Sequence, residues 1–473
     1  MKRHETYKLV AERLEDRRVL AVVSFAANAV GDSAAQASSV FAADIDNDGD
    51  LDIVTASDND NSIAWYPNQD GLGSFGSRNV ISTEVLGSYS VTAADIDGDG
   101  DVDVISASLM DDKIAWYENL DGAGTFGTQN VVTDTADGAE SVRAADLDGD
   151  GDLDLLVASE IDSLVSWYEN LDGRGEFGPQ HIISDQASDV EKAVAADLDG
   201  DGDLDVLSAS FADNKIAWYE NVDGSGTFGS PNIISAATNG ATVVIAADLD
   251  GDQDLDIVTG SYTDGTIEWY SNDGQGGFAA PQSIGTNAIG VYSLDVADMD
   301  QDGDLDVISA AMNTNTITWY ENGGTSDRFV LQYTVSSLLH RPMTVISADL
   351  DNDGDMDIVS ASSRNGQVTW FENRVVGDAN DDGRFDSSDL ILVFQAGEYE
   401  DDTTGNSTYA DGDWNGDREF DSGDLVLAFQ AGTYAEAART ATVDQLFALT
   451  GDIAANVPSK LTKRTDNRWM KLC

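Results

Sequence analysis

The sequence predicts a mainly-β protein: a seven-bladed β-propeller with an acidic loop in every blade, followed by a small all-α module carrying two more such loops. Three observations predict it. A unit of about 50 residues recurs seven times. Each unit breaks into four short apolar runs separated by Asp/Gly turns. After Asn373 the repeat stops, and an acidic loop followed by an apolar helical run appears twice.

The repeat is plainest in the string AADIDNDGDLDIVTAS from Ala42, which returns as AADIDGDGDVDVISAS from Ala93 and AADLDGDGDLDLLVAS from Ala144. In the second unit the strands are expected at Ser90–Ala94, Val102–Ser108, Lys113–Glu118 and Phe126–Val132. Four strands per unit of this length fit a propeller blade. The seventh unit lacks a fourth strand, because Trp370-Phe371-Glu372-Asn373 runs straight into different sequence. The surplus segment at the start, around Phe25–Val30, is expected to supply that strand and leave no unpaired edge. The propeller therefore reads as residues 22–374.

Charge narrows the function. Asp and Glu number 88 against 24 Lys and Arg, a formal charge of −64, which excludes a nucleic-acid binder needing a basic face. A hydrophobic share of 41% is too high for a disordered acidic chain. The chain folds, and a bound cation is the expected means of holding its acids together. Cys473 is the single cysteine, so no disulfide can form within the chain. No apolar run approaches the length of a membrane span.

The cation sites are expected in the pattern D-x-D-x-D-G-x-x-D. In blade one it comprises Asp44, Asp46, Asp48 and Asp52, with Asp50 offering its backbone carbonyl. Blade two repeats it with Asp95, Asp97, Asp99, Asp101 and Asp103, and blade three with Asp146, Asp148, Asp150, Asp152 and Asp154. Blade four has Asp197, Asp199, Asp201, Asp203 and Asp205, and blade five Asp248, Asp250, Asp252, Asp254 and Asp256. Blade six has Asp298, Asp300, Asp302, Asp304 and Asp306, and blade seven Asp349, Asp351, Asp353, Asp355 and Asp357. Alternating carboxylates around a glycine turn suit calcium, which takes six to eight oxygens; magnesium demands stricter octahedral geometry. The bland alternative is an acidic solvated turn. It would have to place Asp at the same offsets in all seven copies by chance. Gln253 stands at the glycine position of blade five, so that site is expected to be weaker.

Two other repeated features have structural readings. The dyad Trp65-Tyr66 recurs as Trp116-Tyr117 and onward to Trp370-Phe371. It would form sugar-stacking platforms, or else place one ring between blades and the other outward. The second reading is preferred. Asn68, Asn119 and their equivalents read as turn residues.

In the second module, Asp378, Asn380, Asp382, Asp386 and Asp389 occupy loop positions 1, 3, 5, 9 and 12. Asp413, Asn415, Asp417, Asp421 and Asp424 repeat them. Helical runs follow at Leu390–Gln395 and Leu425–Gln430, and Arg418 replaces the loop glycine of the second half.

These motifs carry two resemblances. The blade loops resemble the FG-GAP/VCBS repeats of seven-bladed propellers such as the integrin α-chain head, over about Val22 to Asn373. The resemblance implies structural calcium sites, about seven in the propeller, in a family that hosts adhesion modules, lectins and some polysaccharide lyases. Residues 377–435 resemble a dockerin, which pairs two EF-hand-like halves. That implies up to two further calcium ions and a cohesin-like or cell-envelope partner, chosen in that family near Ser387, Ser388, Ser422 and Gly423. The halves lie farther apart than in cellulosomal dockerins.

The ends and the missing chemistry complete the reading. Residues 1–21 form a basic leader, atypical as a secretory signal. The string ERLEDRRVLA nevertheless resembles a short N-terminal segment of exported bacterial proteins, so an extracellular or cell-surface location is expected. The tail 436–473 turns basic from Lys460. His4, His181 and His340 fall in the leader and in two different blades, and no nucleophile or phosphate-loop motif appears. A binding module for a protein or glycan is expected rather than an enzyme, with a calcium-dependent polysaccharide lyase as the runner-up.

Overall fold

Runs of β-branched and small residues between Asp/Gly turns form strands buried on both faces, as in Asp103–Ser108, where every residue is inaccessible. The computed structural model describes residues 23–31, 37–324, 328–380, 384–401, 403, 405–414 and 418–431. The leader, the tail, Asp382, Asn415 and Asp417 lie outside the described residues. Two compact units result, one ending at Val376 and the other beginning at Gly377.

The first unit contains seven antiparallel four-stranded sheets in the order of a propeller. Blade one is Ala37–Ala43, Asp52–Ser57, Ser62–Tyr66 and Asn79–Ser82, with each strand pairing the next. First strands of neighbouring blades pack side by side, which makes them the innermost ring around the axis. In blade two the strands are Ser88–Ala94, Asp103–Ser108, Lys113–Tyr117 and Asn130–Thr133. The fourth begins later than the sequence predicts. Phe126 instead forms an isolated bridge with Asn119 that closes the turn before the outer strand starts.

Blade seven is completed by the start of the chain. Val23–Ala29 pairs antiparallel with Val368–Val375, Phe25 opposite Asn373. Val30 N donates to Val368 O at 3.0 Å. The complementary truncation read from the sequence is therefore a ring closure, and the strand Val368–Val375 of the last blade is not left as a bare edge.

Each of the seven apolar clusters joins two adjacent blades. Trp65, Val54 and Ile63 of blade one meet Val91, Val104 and Tyr117 of blade two. Trp370 and Val359 of blade seven meet Tyr66 and Ile53 of blade one. Both members of every dyad are thus buried between blades, the Trp toward the next blade and the Tyr or Phe toward the previous one. This corrects the expectation of one outward ring, and it leaves no stacking platform there. The pleat sends the two rings to opposite faces, and in a propeller both faces of a blade are covered.

One glycine shows how tight these contacts are. Gly124 has φ +75°, and a Cβ added there would lie 2.2 Å from Cζ2 of Trp65. Gly100 has φ +96° but open space around it. Gly124→Ala therefore carries both a backbone and a packing penalty, whereas Gly100→Ala carries the backbone penalty alone, about 1–2 kcal/mol. Denaturant unfolding in chelator should find the first variant less stable than the second by about 1–3 kcal/mol. Equal losses would contradict this packing.

The second unit holds helix α1, Ser387–Ala396, and helix α2, Ser422–Ala431. Each begins earlier than its apolar run. Asp386 caps α1 by accepting from Ser388 N while Asp389 accepts from Asp386 N at 2.7 Å, a reciprocal capping box. Among the described residues no helix is long and apolar enough to cross a membrane.

Candidate metal loops and channel mouth

The aspartate loop joins the innermost strand of a blade to the second. In blade two the chain folds around the first carboxylate: Asp95 Oδ1 accepts from Gly98 N at 2.8 Å and Oδ2 from Gly100 N at 3.0 Å. Asp97 Oδ1 accepts from Asp99 N, and Asp99 Oδ1 from Asp101 N at 2.9 Å. Carboxylates at positions 1, 3 and 5 converge in several loops. Asp44, Asp46 and Asp48 each place an oxygen within 4.8 Å of the others, as do Asp95, Asp97 and Asp99, and Asp197, Asp199 and Asp201. Asp146, Asp148 and Asp154, and Asp248, Asp250 and Asp256, converge with the ninth position in place of the fifth.

The donor set fits a hard cation. Asp46 Oδ1, Asp250 Oδ1 and Asp349 Oδ1 are buried oxygens with no hydrogen-bond donor, an arrangement that costs energy unless a positive group faces them. Burial, followed by the neighbouring carboxylates, holds Asp97, Asp148 and Asp199 above the ordinary carboxylate range. A divalent ion would supply the missing counter-charge.

The ninth aspartate does something the spacing did not reveal. Asp103 is 1% exposed; its Oδ2 accepts from Ile96 N at 3.0 Å and its Oδ1 from Asn119 N at 2.8 Å. Asn119 Nδ2 then donates to Ile45 O of the preceding blade at 2.8 Å. The same relay passes through Asn170 to Ile96 O, Asn221 to Leu147 O, Asn272 to Leu198 O, Asn322 to Leu249 O and Asn373 to Met299 O. Asn68 closes the circle by donating to Leu350 O of blade seven at 2.8 Å. These asparagines are inter-blade staples, which corrects the reading of them as turn residues. Position 7 is also tied across blades: Asp101 accepts from Asn47 Nδ2 at 2.9 Å, and Asp50 from Asn352 Nδ2 at 2.9 Å.

Two irregularities of the repeat meet at blade five. Gln253 takes φ 79° at the glycine position, yet its amide still donates to Asp248 Oδ2 at 2.9 Å. Arg328, from the irregular stretch of blade six, brings Nη1 to 3.8 Å from Asp250 Oδ2 and lies 5.0 Å over Trp269. A side-chain cation therefore stands beside the position-3 carboxylate of this loop.

In the second unit, Asp389 accepts from Ala379 N and Asn380 N, and Asp378 Oδ2 from Arg384 N at 3.0 Å. The second half mirrors this, Asp424 accepting from Trp414 N and from Asp421 N, and Asp413 Oδ2 from Arg418 N. Arg418 adopts φ 70° in the glycine place. The twelfth aspartates are thus fully buried anchors for both loop backbones.

At the other end of the blades lies a different site. Second residues of the innermost strands form a ring around the axis: Ser38, Tyr89, Glu140, Glu191, Thr242, Tyr292 and Met343. Where the aspartate loops agree from blade to blade, this ring disagrees at nearly every place. It opens into a cavity of about 570 Å³ that is also lined by Phe211, Tyr262, Arg341 and Arg364. Tyr292 donates its hydroxyl to Glu140 and, at 3.1 Å, to Glu191. Burial and the adjacent Glu140 push Glu191 up to about 9. Of the histidines, His181 stacks on Trp167 in blade three, ring centroids 4.7 Å apart, away from the mouth. Sequence reasoning missed the ring because it looked for what repeats. The signal available to it was that the innermost strands diverge at their second position while the loops that follow them stay the same.

Fold and loops together define a closed seven-bladed propeller with an acidic hairpin loop in each blade. The FG-GAP-like repeat family matches residues 44–106, 95–157, 149–208, 197–259, 248–309 and 298–360, and the chain belongs to that family. No curated protein matches the chain. Among solved structures, the chain is similar to BBS1N in its complex with ARL6DN, at 11% identity and TM-score 0.51 over 74% of this chain and 96% of that one. It also matches an Agrocybe aegerita lectin described as recognising non-reducing terminal N-acetylglucosamine. That match has 20% identity and TM-score 0.48, over 63% of this chain and 80% of the lectin chain.

Protonation gives these loops a testable signature. Burial raises the ninth carboxyl from 3.8 to about 7 in Asp52, Asp103 and Asp154, and to about 8 in Asp306 and Asp357. A raised carboxyl pKa means the folded state holds more protons than the unfolded one. Stability from these groups is therefore fully present below about pH 4 and is lost as pH rises through about 7 to 8. In metal-free buffer the melting temperature should fall as pH goes from about 5 to about 8. A rise over that window would contradict the buried-carboxylate account.

Proposed function

We propose that the chain is an exported recognition propeller whose blade loops bind calcium and whose ligand surface is the channel mouth. The observation that carries this reading is the contrast between loops and ring. Seven near-identical acidic loops serve a role common to every blade, whereas the ring at the mouth differs from blade to blade and lines a cavity. A shared role is stiffening; a role confined to one asymmetric place is recognition. Calcium is favoured over magnesium by the number of carboxylates and carbonyls each loop offers. Filling seven blade sites and two in the second module would offset more than a quarter of the formal charge of −64.

The second module would attach the propeller to a scaffold or surface in the manner of a dockerin. Its mirrored loops and two helices support this, as does the buried twelfth aspartate in each half. The ligand is a protein or a glycan, and the reaction class is binding without chemistry. A calcium-dependent lyase acting on acidic polysaccharide is the second reading. Tyr292 at the mouth, with Lys192 in the adjoining channel, would be its acid–base pair. Burial and the adjacent glutamates hold the Tyr292 hydroxyl well above its ordinary value, which makes it a poor base.

Two measurements test the proposal. Excess EDTA should lower the melting temperature by roughly 10 °C or more, with recovery on adding calcium but not magnesium; an unchanged melting temperature would remove calcium from the account. Incubation with polyuronates should produce no unsaturated-uronate absorbance. A sustained signal, lost in Tyr292→Phe, would replace binding with the lyase reading.

A further inference from the structure

The mouth is an electrostatic exception in this chain. Between Val23 and Val376 the sequence holds ten Lys and Arg residues. Five are paired with an acid close by: Arg78 with Asp60, Lys113 with Asp111, Lys215 with Asp213, Arg328 with Asp250 and Arg374 with Glu372. Four of the others, Arg143, Lys192, Arg341 and Arg364, line the mouth or the channel behind it. Arg341 and Arg364 are exposed, and among the described residues neither has an ion-pair partner. Backbone bonds hold them side by side, Ser363 N donating to Arg341 O at 3.1 Å and Arg364 N to His340 O at 3.4 Å.

The other walls differ in kind. Phe211 and Tyr262 stand edge to face with centroids 5.9 Å apart, both half-buried at the cavity wall. Asp58 and Glu191 line it with carboxyl oxygens. One side therefore offers two guanidinium groups to an anion, another offers aromatic surface, and a third offers hydrogen-bonding groups for hydroxyls.

We propose that the mouth binds a terminal acidic sugar. Its carboxylate would lie between Arg341 and Arg364, its C–H face against Phe211 and Tyr262, and its hydroxyls toward Asp58 and Glu191. This rests on the reading of the mouth as the recognition surface. A sugar unit carries all three complements within a few ångströms, whereas a peptide carboxylate brings few donors for Asp58 and Glu191. The ligand is a terminal unit rather than the interior of a polyanion. The acids of the surrounding surface repel an extended anionic chain, and screening confines that repulsion to about 8 Å at physiological salt, leaving room for a single unit in the mouth.

Isothermal calorimetry on the full chain in calcium tests this. The probes are disaccharides ending in glucuronic or galacturonic acid, and the same disaccharides ending in glucose or galactose. The acidic probes should bind at least about tenfold more tightly than the neutral ones, and Arg341→Gln/Arg364→Gln should abolish that difference. Both arginines are exposed, and an unchanged melting temperature confirms that the double variant is folded. Phe211→Ala should weaken all binding. Neutral probes binding as well as acidic ones, or an undiminished preference in the double variant, overturns the proposal while leaving recognition at the mouth intact. Neutral binding insensitive to Phe211→Ala overturns both. No saccharide binding overturns the acidic-sugar proposal; recognition then stands only if a captured protein partner is lost on substituting Tyr89 and Glu191.

Discussion

Everything in the propeller passes through one buried carboxylate per blade. The ninth aspartate of each loop accepts from a backbone amide of its own loop and from the amide of an asparagine at or just past the end of the third strand, and that asparagine donates to the loop of the preceding blade. Loop conformation, strand spacing and blade-to-blade attachment are thereby one hydrogen-bonded circuit, repeated until Asn68 returns it to blade seven. A carboxylate so placed is costly to bury when charged. The circuit consequently favours either a proton or a nearby cation, and the clustered carboxylates of the same loop lie where a cation would sit.

Much of this was legible in the sequence. The period, the four runs per unit and the missing fourth strand led to the closed ring, because strand edges must be paired and the chain showed complementary ends. The offsets of Asp44, Asp46 and Asp48 led to the converging loop, because a turn of that length brings alternate side chains to one centre, whereas Asp52 holds the backbone amides of Ile45 and Asn68. What escaped were contacts between repeats. Asn119 looks like a turn residue because its neighbours in sequence are turn-formers; its partner, Ile45 O, belongs to another blade. The Trp and Tyr of each dyad were assigned one inner and one outer face by a rule for half-exposed sheets, which does not hold where blades cover both faces. The channel ring was invisible for the opposite reason: its seven residues share a position but are of five different kinds.

The division of labour between the two ends of the blades follows from this. At the loop end, substitutions are constrained by a circuit that tolerates little beyond Asp, Asn and Gly, and even the exception at Gln253 keeps the loop path. At the mouth, the second residue of each innermost strand bears no such duty, so Tyr, Glu, Thr and Met can occupy equivalent places. A rigid, repetitive frame presenting one unrepeated cavity suits recognition, because the frame holds the lining residues in place before a ligand arrives. Arg328 beside the blade-five loop shows that the frame also admits a resident side-chain cation where the loop departs from pattern.

Cation binding in the loops, as proposed, would tighten the ring through the ninth aspartate and its asparagine. Hydrogen exchange of the Ile96, Asn119, Leu147 and Asn170 amides, followed with and without calcium at constant pH, tests it most directly. The account requires these amides to gain protection together on adding calcium, with peptides of the channel mouth changing less. Protection that is already complete without calcium, or that increases only in the exposed loop tips, would contradict it.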